Sequence, residues 1–111
     1  MASIDLTNLR EMTGGDAELE RELFAEFILS FEKGIRSLQK CNEMDGAEGW
    51  RAEAHALKGI ALNLGAQQLG ALCKKAQDNH LAGKEVRQVM LTDIQSEYEV
   101  VKPLLLAISA K

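Results

Sequence analysis

The residues best suited to chemistry in this chain are a histidine, a lysine and a glycine that lie within about one helical turn of each other: His55, Lys58 and Gly59. Apolar residues around them recur at spacings of four, three, four and three, which predicts one buried helical stripe of Trp50, Ala54, Leu57, Ala61 and Leu64. At about 100° per residue, His55 lies roughly 140° from this stripe and faces solvent. An imidazole is mostly neutral at cellular pH and nucleophilic through its unprotonated ring nitrogen. The pattern therefore favours a histidine that reacts with a group on another molecule.

The neighbours of His55 suit an anionic reactant. Lys58 follows one turn later on the same flank and can give a charge-assisted contact to an anion. Gly59 lies about 180° from the buried stripe, where glycine costs the helix about 1 kcal/mol relative to alanine. A missing side chain at this position clears the approach to the imidazole. The simpler alternatives are an ordinary solvated lysine and a glycine required for close helix packing.

Length and charge narrow the class of protein. The 111 residues suffice for a single domain over residues 1–111, with one hydrophobic core. The net charge of −4 disfavours nucleic acid as a partner, because binding phosphates requires a dense basic surface. The longest apolar runs are too short to span a bilayer, and the N-terminus lacks the features of a signal peptide, so we expect a cytoplasmic protein without membrane contact. A metal site is not expected, because Cys73 phases into the core, away from His55 and His80.

Helical periodicity runs through the chain, and strand signals are absent. A short first helix is expected after Asp5 as its N-cap, and a long second helix after Asp16. Asp45 and Glu48 resemble a capping box for the third helix, which Gly65 ends in the left-handed conformation.

Two further helices complete the expected fold. The fourth begins near Ala66 and ends at Gly83, and the last spans about Lys84 to Lys102, where Pro103 kinks or stops it. Four long helices with short connections predict an all-α, antiparallel four-helix bundle with a short extra N-terminal helix. The positions expected on buried faces are Leu19, Leu23, Phe27, Phe31, Ile35, Leu38 and Cys41 on the second helix, Leu69, Leu72, Cys73 and Ala76 on the fourth, and Val86, Val89, Met90, Ile94, Tyr98 and Val101 on the last.

The segment His55–Gly59, followed by Gly65, resembles the signature of histidine-containing phosphotransfer (HPt) domains. That signature is a histidine, any residue, a large apolar residue, Lys-Gly and a later glycine. The resemblance extends to the N-terminal region from Leu6 to Phe27 and so covers most of the chain. The local departures are Ile60 and Ala61, where the family often has small residues such as serine, and they touch packing rather than the phosphate chemistry.

The resemblance implies a function and a role for each matched residue. In HPt domains the histidine takes a phosphoryl group from an aspartyl phosphate on one receiver domain and passes it to another. His55 is then the phosphorylated residue, Lys58 the partner of the phosphate and Gly59 the clearance for the receiver. A polar side chain often lies on the next helix, 22 residues after the histidine, which here is Gln77. Its carbonyl is the candidate acceptor for Nδ1–H, which would leave Nε2 as the nucleophile.

The chain lacks the parts of a complete kinase. It has no Gly-rich phosphate loop and no acidic triad for Mg²⁺, so we expect no autonomous kinase activity and no cofactor of its own. The resemblance implies that Mg²⁺ and the acceptor carboxylate belong to the partner, a response-regulator receiver domain or a hybrid sensor histidine kinase. We expect a monomer, and the compact length favours a protein that stands alone.

The surface around His55 is expected to dock the partner. Helical spacing places three bases on the same side as His55, namely Arg51, Lys58 and Lys74. This face is therefore predicted to be locally basic and to attract an acidic receiver. Leu62, about 120° from the buried stripe, is predicted to be the apolar centre of the patch. A helical docking adaptor that has kept the bundle but transfers no phosphate is the alternative function.

Overall fold

The computed structural model describes residues 4–109, and helices account for almost all of them. The helices are α1 (Thr7–Thr13), α2 (Ala17–Glu43), α3 (Ala47–Leu64), α4 (Gln67–Asp78) and α5 (Lys84–Ser109). They pack as a bundle in which α2 contacts α3 and α5, and α4 contacts the same two helices. The short α1 packs across α2 and α3. This architecture confirms the all-α four-helix bundle with an extra N-terminal helix that the sequence predicts.

Two of the predicted helix ends are confirmed at atomic detail. The Asp16 carboxylate accepts hydrogen bonds from the backbone N–H groups of Glu18 and Leu19, at 3.0 and 3.1 Å, and caps α2. Gly65 ends α3 with φ of 90°, a conformation that favours glycine. The backbone N–H of Asp5 donates to the Gly65 carbonyl at 2.9 Å, which fixes the N-terminal segment to the α3–α4 turn.

The core forms along the predicted stripe of α3, whose five apolar members are all buried. Phe31 stacks between Phe27 and Tyr98, with ring centroids 5.4 and 5.1 Å apart, and joins α2 to α5. Trp50 is fully buried, and its indole N–H donates to the Ala76 carbonyl at 2.9 Å. The bundle therefore has one continuous core in which the only polar edge of the indole is satisfied.

The capping box predicted at Asp45 and Glu48 is wrong. Gly46 is the N-cap of α3 and no side chain caps this end. Asp45 instead adopts a positive φ of 53° and accepts a hydrogen bond from the buried Arg87. The guanidinium of Arg87 also donates to Asn42 and to the His80 carbonyl, at 2.9 and 3.0 Å. A buried guanidinium needs several hydrogen-bond acceptors, so Asp45 bonds to Arg87 and does not cap α3.

Helix α5 departs from the prediction in face and in length. Val86 and Val89 are 53% and 61% exposed, because the inward face of α5 instead contains the buried Arg87 and Leu91. The helix also continues through Pro103 to Ser109. Proline removes one backbone donor, and both Pro103 and Glu99, one turn earlier, lie on an exposed part of the helix.

Smaller corrections concern α2 and α4. Leu19 is 38% exposed, while Phe24, which the spacing did not select, is buried. Helix α4 ends at Asp78 with Asn79 as its C-cap, before the predicted Gly83. Within the described residues, no helix combines the length and the apolar character needed to cross a membrane.

Substituting Gly65 by alanine tests how the α3–α4 turn is held. A Cβ at Gly65 would collide with the backbone of Asp5 and the residue would keep a positive φ, so Gly65→Ala should destabilise the fold by about 3 kcal/mol. A Cβ at Gly59 meets nothing within 4 Å, so the control Gly59→Ala should stabilise by up to about 1 kcal/mol. Urea unfolding followed by circular dichroism measures both. A Gly65→Ala protein as stable as the parent would contradict this account of the turn.

Candidate functional site

His55 lies in the middle of α3 with its side chain exposed, and α4 brings a single polar partner to it. Its Nδ1 lies 3.4 Å from Oε1 of the half-buried Gln77. The amide oxygen can only accept, so this contact is a hydrogen bond when the proton is on Nδ1. The lone pair on Nε2 is then left free for an incoming electrophile.

Two contacts between α3 and α4 fix Gln77 beside His55. The hydrogen bond from the Trp50 indole ends on the carbonyl of Ala76, the residue before Gln77. Two turns earlier, Gly70 is buried against Leu62, and a Cβ at Gly70 would lie 2.5 Å from Leu62 Cδ2. The glycine thus lets the leucine pack closely on α4. Leu62 is 43% exposed, so the predicted apolar centre is only partly available to another protein.

On the other flank of His55, the surface of α3 projects little because its side chains are small. A side chain at Gly59 would extend into open space, so close packing within the bundle is not the reason for glycine there. Ala52 and Ala56 are exposed on the same side of α3. These three small residues leave a strip of surface over which a partner can approach the imidazole closely.

The predicted basic face is weaker than the sequence indicates. Arg51 forms an ion pair with Glu48 at 3.1 Å, and Lys74 forms one with Asp78 at 2.6 Å. The hydrogen bond from Arg51 lowers the pKa of Glu48 and keeps its carboxylate charged. Lys58 has no acidic partner within ion-pair distance in the part of the chain that the structure describes. Both acids could have been found from their spacing, since each lies three or four residues from its base.

The second histidine is engaged elsewhere. His80 is half-buried after the end of α4, where Nδ1 lies 3.2 Å from the Gln77 carbonyl and Nε2 lies 3.9 Å from Glu48. Cys73 is fully buried, and burial raises the pKa of its thiol to about 12. Residues 4–109 contain no group of three or more His, Cys, Asp or Glu side chains that could hold a metal ion.

The sequence did not reveal an apolar groove of about 370 Å³ between α1, α2 and α3. Ile60 and Asn63 line its α3 side, next to the strip of small residues, and Met12 on α1 is 76% exposed at its edge. The groove depends on how α1 packs across two longer helices, which periodicity within one helix cannot show. Its remaining lining residues are Leu9, Leu23, Glu26, Phe27, Ser30 and Leu64.

Comparisons with known proteins bear on the family and the fold. A family model described as the Hpt domain matches residues 17–103, from the start of α2 to Pro103 in α5. A solved structure, histidine-containing phosphotransfer protein B (HptB) from Pseudomonas aeruginosa PAO1, superposes with a TM-score of 0.86 at 23% sequence identity, covering 96% of this chain and 94% of that chain. At this identity the superposition shows a shared fold. No curated protein matches the chain.

Substituting Gln77 by leucine tests its contact with His55. In the parent, we expect the neutral imidazole to carry its proton mainly on Nδ1, because Gln77 Oε1 accepts from it. Gln77→Leu removes the acceptor and should shift the population toward the Nε2–H form. Nitrogen chemical shifts of the labelled imidazole report the tautomer, with Gln68→Leu, an exposed change on α4, as control. A parent that is mainly in the Nε2–H form would contradict the contact.

Proposed function

The chain belongs to the Hpt domain family, whose role is histidine phosphotransfer in phosphorelays, and on this premise we propose that it carries a phosphoryl group on His55 between receiver domains. The observation that carries the proposal is the exposed imidazole with Gln77 at its Nδ1 and open space at Gly59. No other histidine in the chain has these surroundings, because His80 is turned toward the end of α4.

The proposed reaction is a transfer between an oxygen and a nitrogen. Nε2 of His55 attacks the phosphorus of an aspartyl phosphate on the receiver. A P–N bond forms while the P–O bond to the aspartate breaks, and the carboxylate leaves with the bonding electrons. The reverse step, on a second receiver, returns the imidazole to its starting state. The contact with Gln77 supports this step, because an acceptor at Nδ1 stabilises the positive charge that develops on the ring.

Lys58 and Gly59 serve the same transfer in different ways. Lys58 has no acidic partner in the described structure, so its ammonium group is available to the phosphoryl oxygens. Phosphoryl transfer depends mainly on positioning and charge neutralisation, and both require the donor to come close. The open space at Gly59 permits that approach.

The partners in this proposal are response-regulator receiver domains, alone or within a hybrid sensor kinase. Each receiver supplies the reactive carboxylate and the Mg²⁺ that neutralises charge on the phosphoryl group, while this chain supplies no metal and no kinase activity. We place the exchange in the cytoplasm, where proteins of this family are typically found.

We propose that the receiver docks across the surface from Leu62, over the strip of small residues, to the groove beside Met12. The strip carries only small side chains, and the two ends supply the exposed apolar side chains of Leu62 and Met12. Because Arg51 and Lys74 already have acidic partners, charge contributes less to this docking than the sequence suggests. Apolar anchors then provide most of the affinity.

His55→Gln should abolish labelling by receiver domains that have been phosphorylated with radiolabelled acetyl phosphate. The exposed position implies a change in unfolding free energy within about 0.5 kcal/mol, so loss of label reports chemistry rather than unfolding. His80→Gln is the matched control and should keep an acid-labile label. A label retained by His55→Gln would refute the assignment. A receiver that binds the parent chain without labelling it would instead support the adaptor alternative.

Two aspartate substitutions test the docking surface. Met12→Asp and Leu62→Asp should each weaken receiver binding by about ten-fold or more, because a charge would replace an apolar contact. Leu81→Asp, at a residue that is 81% exposed in the α4–α5 connection, is the control and should bind like the parent. Calorimetric titration measures the three affinities. Parent-like binding by Met12→Asp would exclude the groove, and parent-like binding by Leu62→Asp would exclude the other end.

A further inference from the structure

An exposed apolar surface lies on the side of the bundle that phosphotransfer does not use. Leu29 on α2 is 66% exposed, and Leu106 on α5 is 51% exposed. Both line a groove of about 480 Å³ between these helices, together with the apolar Phe24, Ala25 and Ile28 and the charged Arg21 and Glu32. Because α2 and α4 each pack against both α3 and α5, the α2–α5 side lies opposite the α3–α4 side that carries His55.

On the exposed stripe of α2 that contains Leu29, the acidic and the basic side chains lie in separate halves. At about 100° per residue, positions four, seven and eleven residues away from Leu29 lie within roughly 40° of it. Toward the N-terminus, these positions are Ala25, Glu22 and Glu18. All of them are exposed, so the N-terminal half of the stripe is acidic.

The C-terminal half of the same stripe is basic, with Lys33, Arg36 and Lys40 at the equivalent positions. Within residues 4–109, none of these bases forms an intramolecular ion pair, and neither do Glu18 and Glu22. The charge of Arg36 also acts on Glu32 of the same helix and helps to lower its pKa. The helix dipole acts only over the first and last turns, where it favours Glu18 and Lys40, so it does not account for Glu22, Lys33 and Arg36 farther along this 27-residue helix.

We propose that this surface binds a second copy of the chain, with the two α2 helices antiparallel and Leu29 at the two-fold axis. This arrangement places Glu22 opposite Arg36 of the partner subunit, and Glu18 opposite Lys40 of the partner subunit. Two-fold symmetry repeats each pair, so one helix supplies both halves of a self-complementary interface. A parallel arrangement would instead place like charges side by side.

The surface beside the proposed axis is held in place by the bundle itself. The Glu32 carboxylate accepts hydrogen bonds from the Tyr98 hydroxyl and from Lys102, both at 2.7 Å, which joins α2 to α5. These bonds lower the pKa of Glu32, with Lys102 as the larger cause. Leu29 and Leu106 are therefore presented on a fixed backbone. The dimer would leave both copies of His55 exposed on its outer sides.

Sedimentation over about 1 µM to 1 mM protein tests the dimer directly, because a single helix pair gives a small interface of modest affinity. The parent should show a dimer that grows with concentration. Leu29→Asp should raise the dimer Kd at least about ten-fold, while the control Leu81→Asp should not change it. Circular dichroism confirms that the variants are folded. A parent that stays monomeric, as the sequence alone predicts, or a Leu29→Asp variant that dimerises like the parent, would overturn the proposal.

Charge exchange tests the antiparallel register. Glu22→Arg and Arg36→Glu should each weaken self-association, because each places like charges across the axis. Mixing the two variants should restore a dimer, since every Arg then faces a Glu. Failure of the mixture to associate better than either variant alone would overturn this register.

The dimer and the phosphotransfer function can fail separately. Leu29→Asp should accept label from a phosphorylated receiver like the parent, because the substitution is remote from His55. A Leu29→Asp variant that is folded but loses both dimer and label would overturn the separation of the two surfaces proposed here.

Discussion

The close packing of α4 on α3 determines which side chain lies next to His55. The Trp50 indole donates to the Ala76 carbonyl, and Gly70 admits the side chain of Leu62. Between them these contacts set the distance from Gln77 to the imidazole at 3.4 Å. An exposed histidine without such a partner would exchange its ring proton freely between both nitrogens. Packing between α3 and α4 therefore places the acceptor that, in the phosphotransfer proposed above, favours Nε2 of His55 as the nucleophile.

The two ends of the bundle are stabilised by different means. At the α3–α4 turn, the positive φ of Gly65 allows the backbone of Asp5 to approach and bond to it. At the other end, Arg87 is buried under Asn42, Asp45 and the His80 carbonyl, and its guanidinium lies 6.0 Å from the Trp50 ring. Burying a charge is tolerated there because several acceptors surround it. Neither of these interactions uses the outer face of α3 near its middle, where His55 lies.

Local patterns identified much of the fold and the centre of the site. The spacing of apolar residues from Trp50 to Leu64 gave the buried stripe of α3, and with it the outward direction of His55. Asp16 and Gly65 gave helix ends, because their preferences depend on backbone atoms within a few residues. The same reasoning failed at Asp45, since a buried arginine more than forty residues away (Arg87) claimed its carboxylate. It also failed for Val86 and Val89, because the charged Arg87 lies on the inward face of α5 and the two valines do not.

The sequence by itself determined the helices, the phase of His55 and the family signature, because each depends on neighbours along one helix. Only the tertiary structure decided how helices share a surface. It brought Gln77 to Nδ1, formed the groove beside Met12, and placed Leu106 next to Leu29. The physical reason is that side-chain partners are chosen by distance in space, which periodicity along a single helix does not encode.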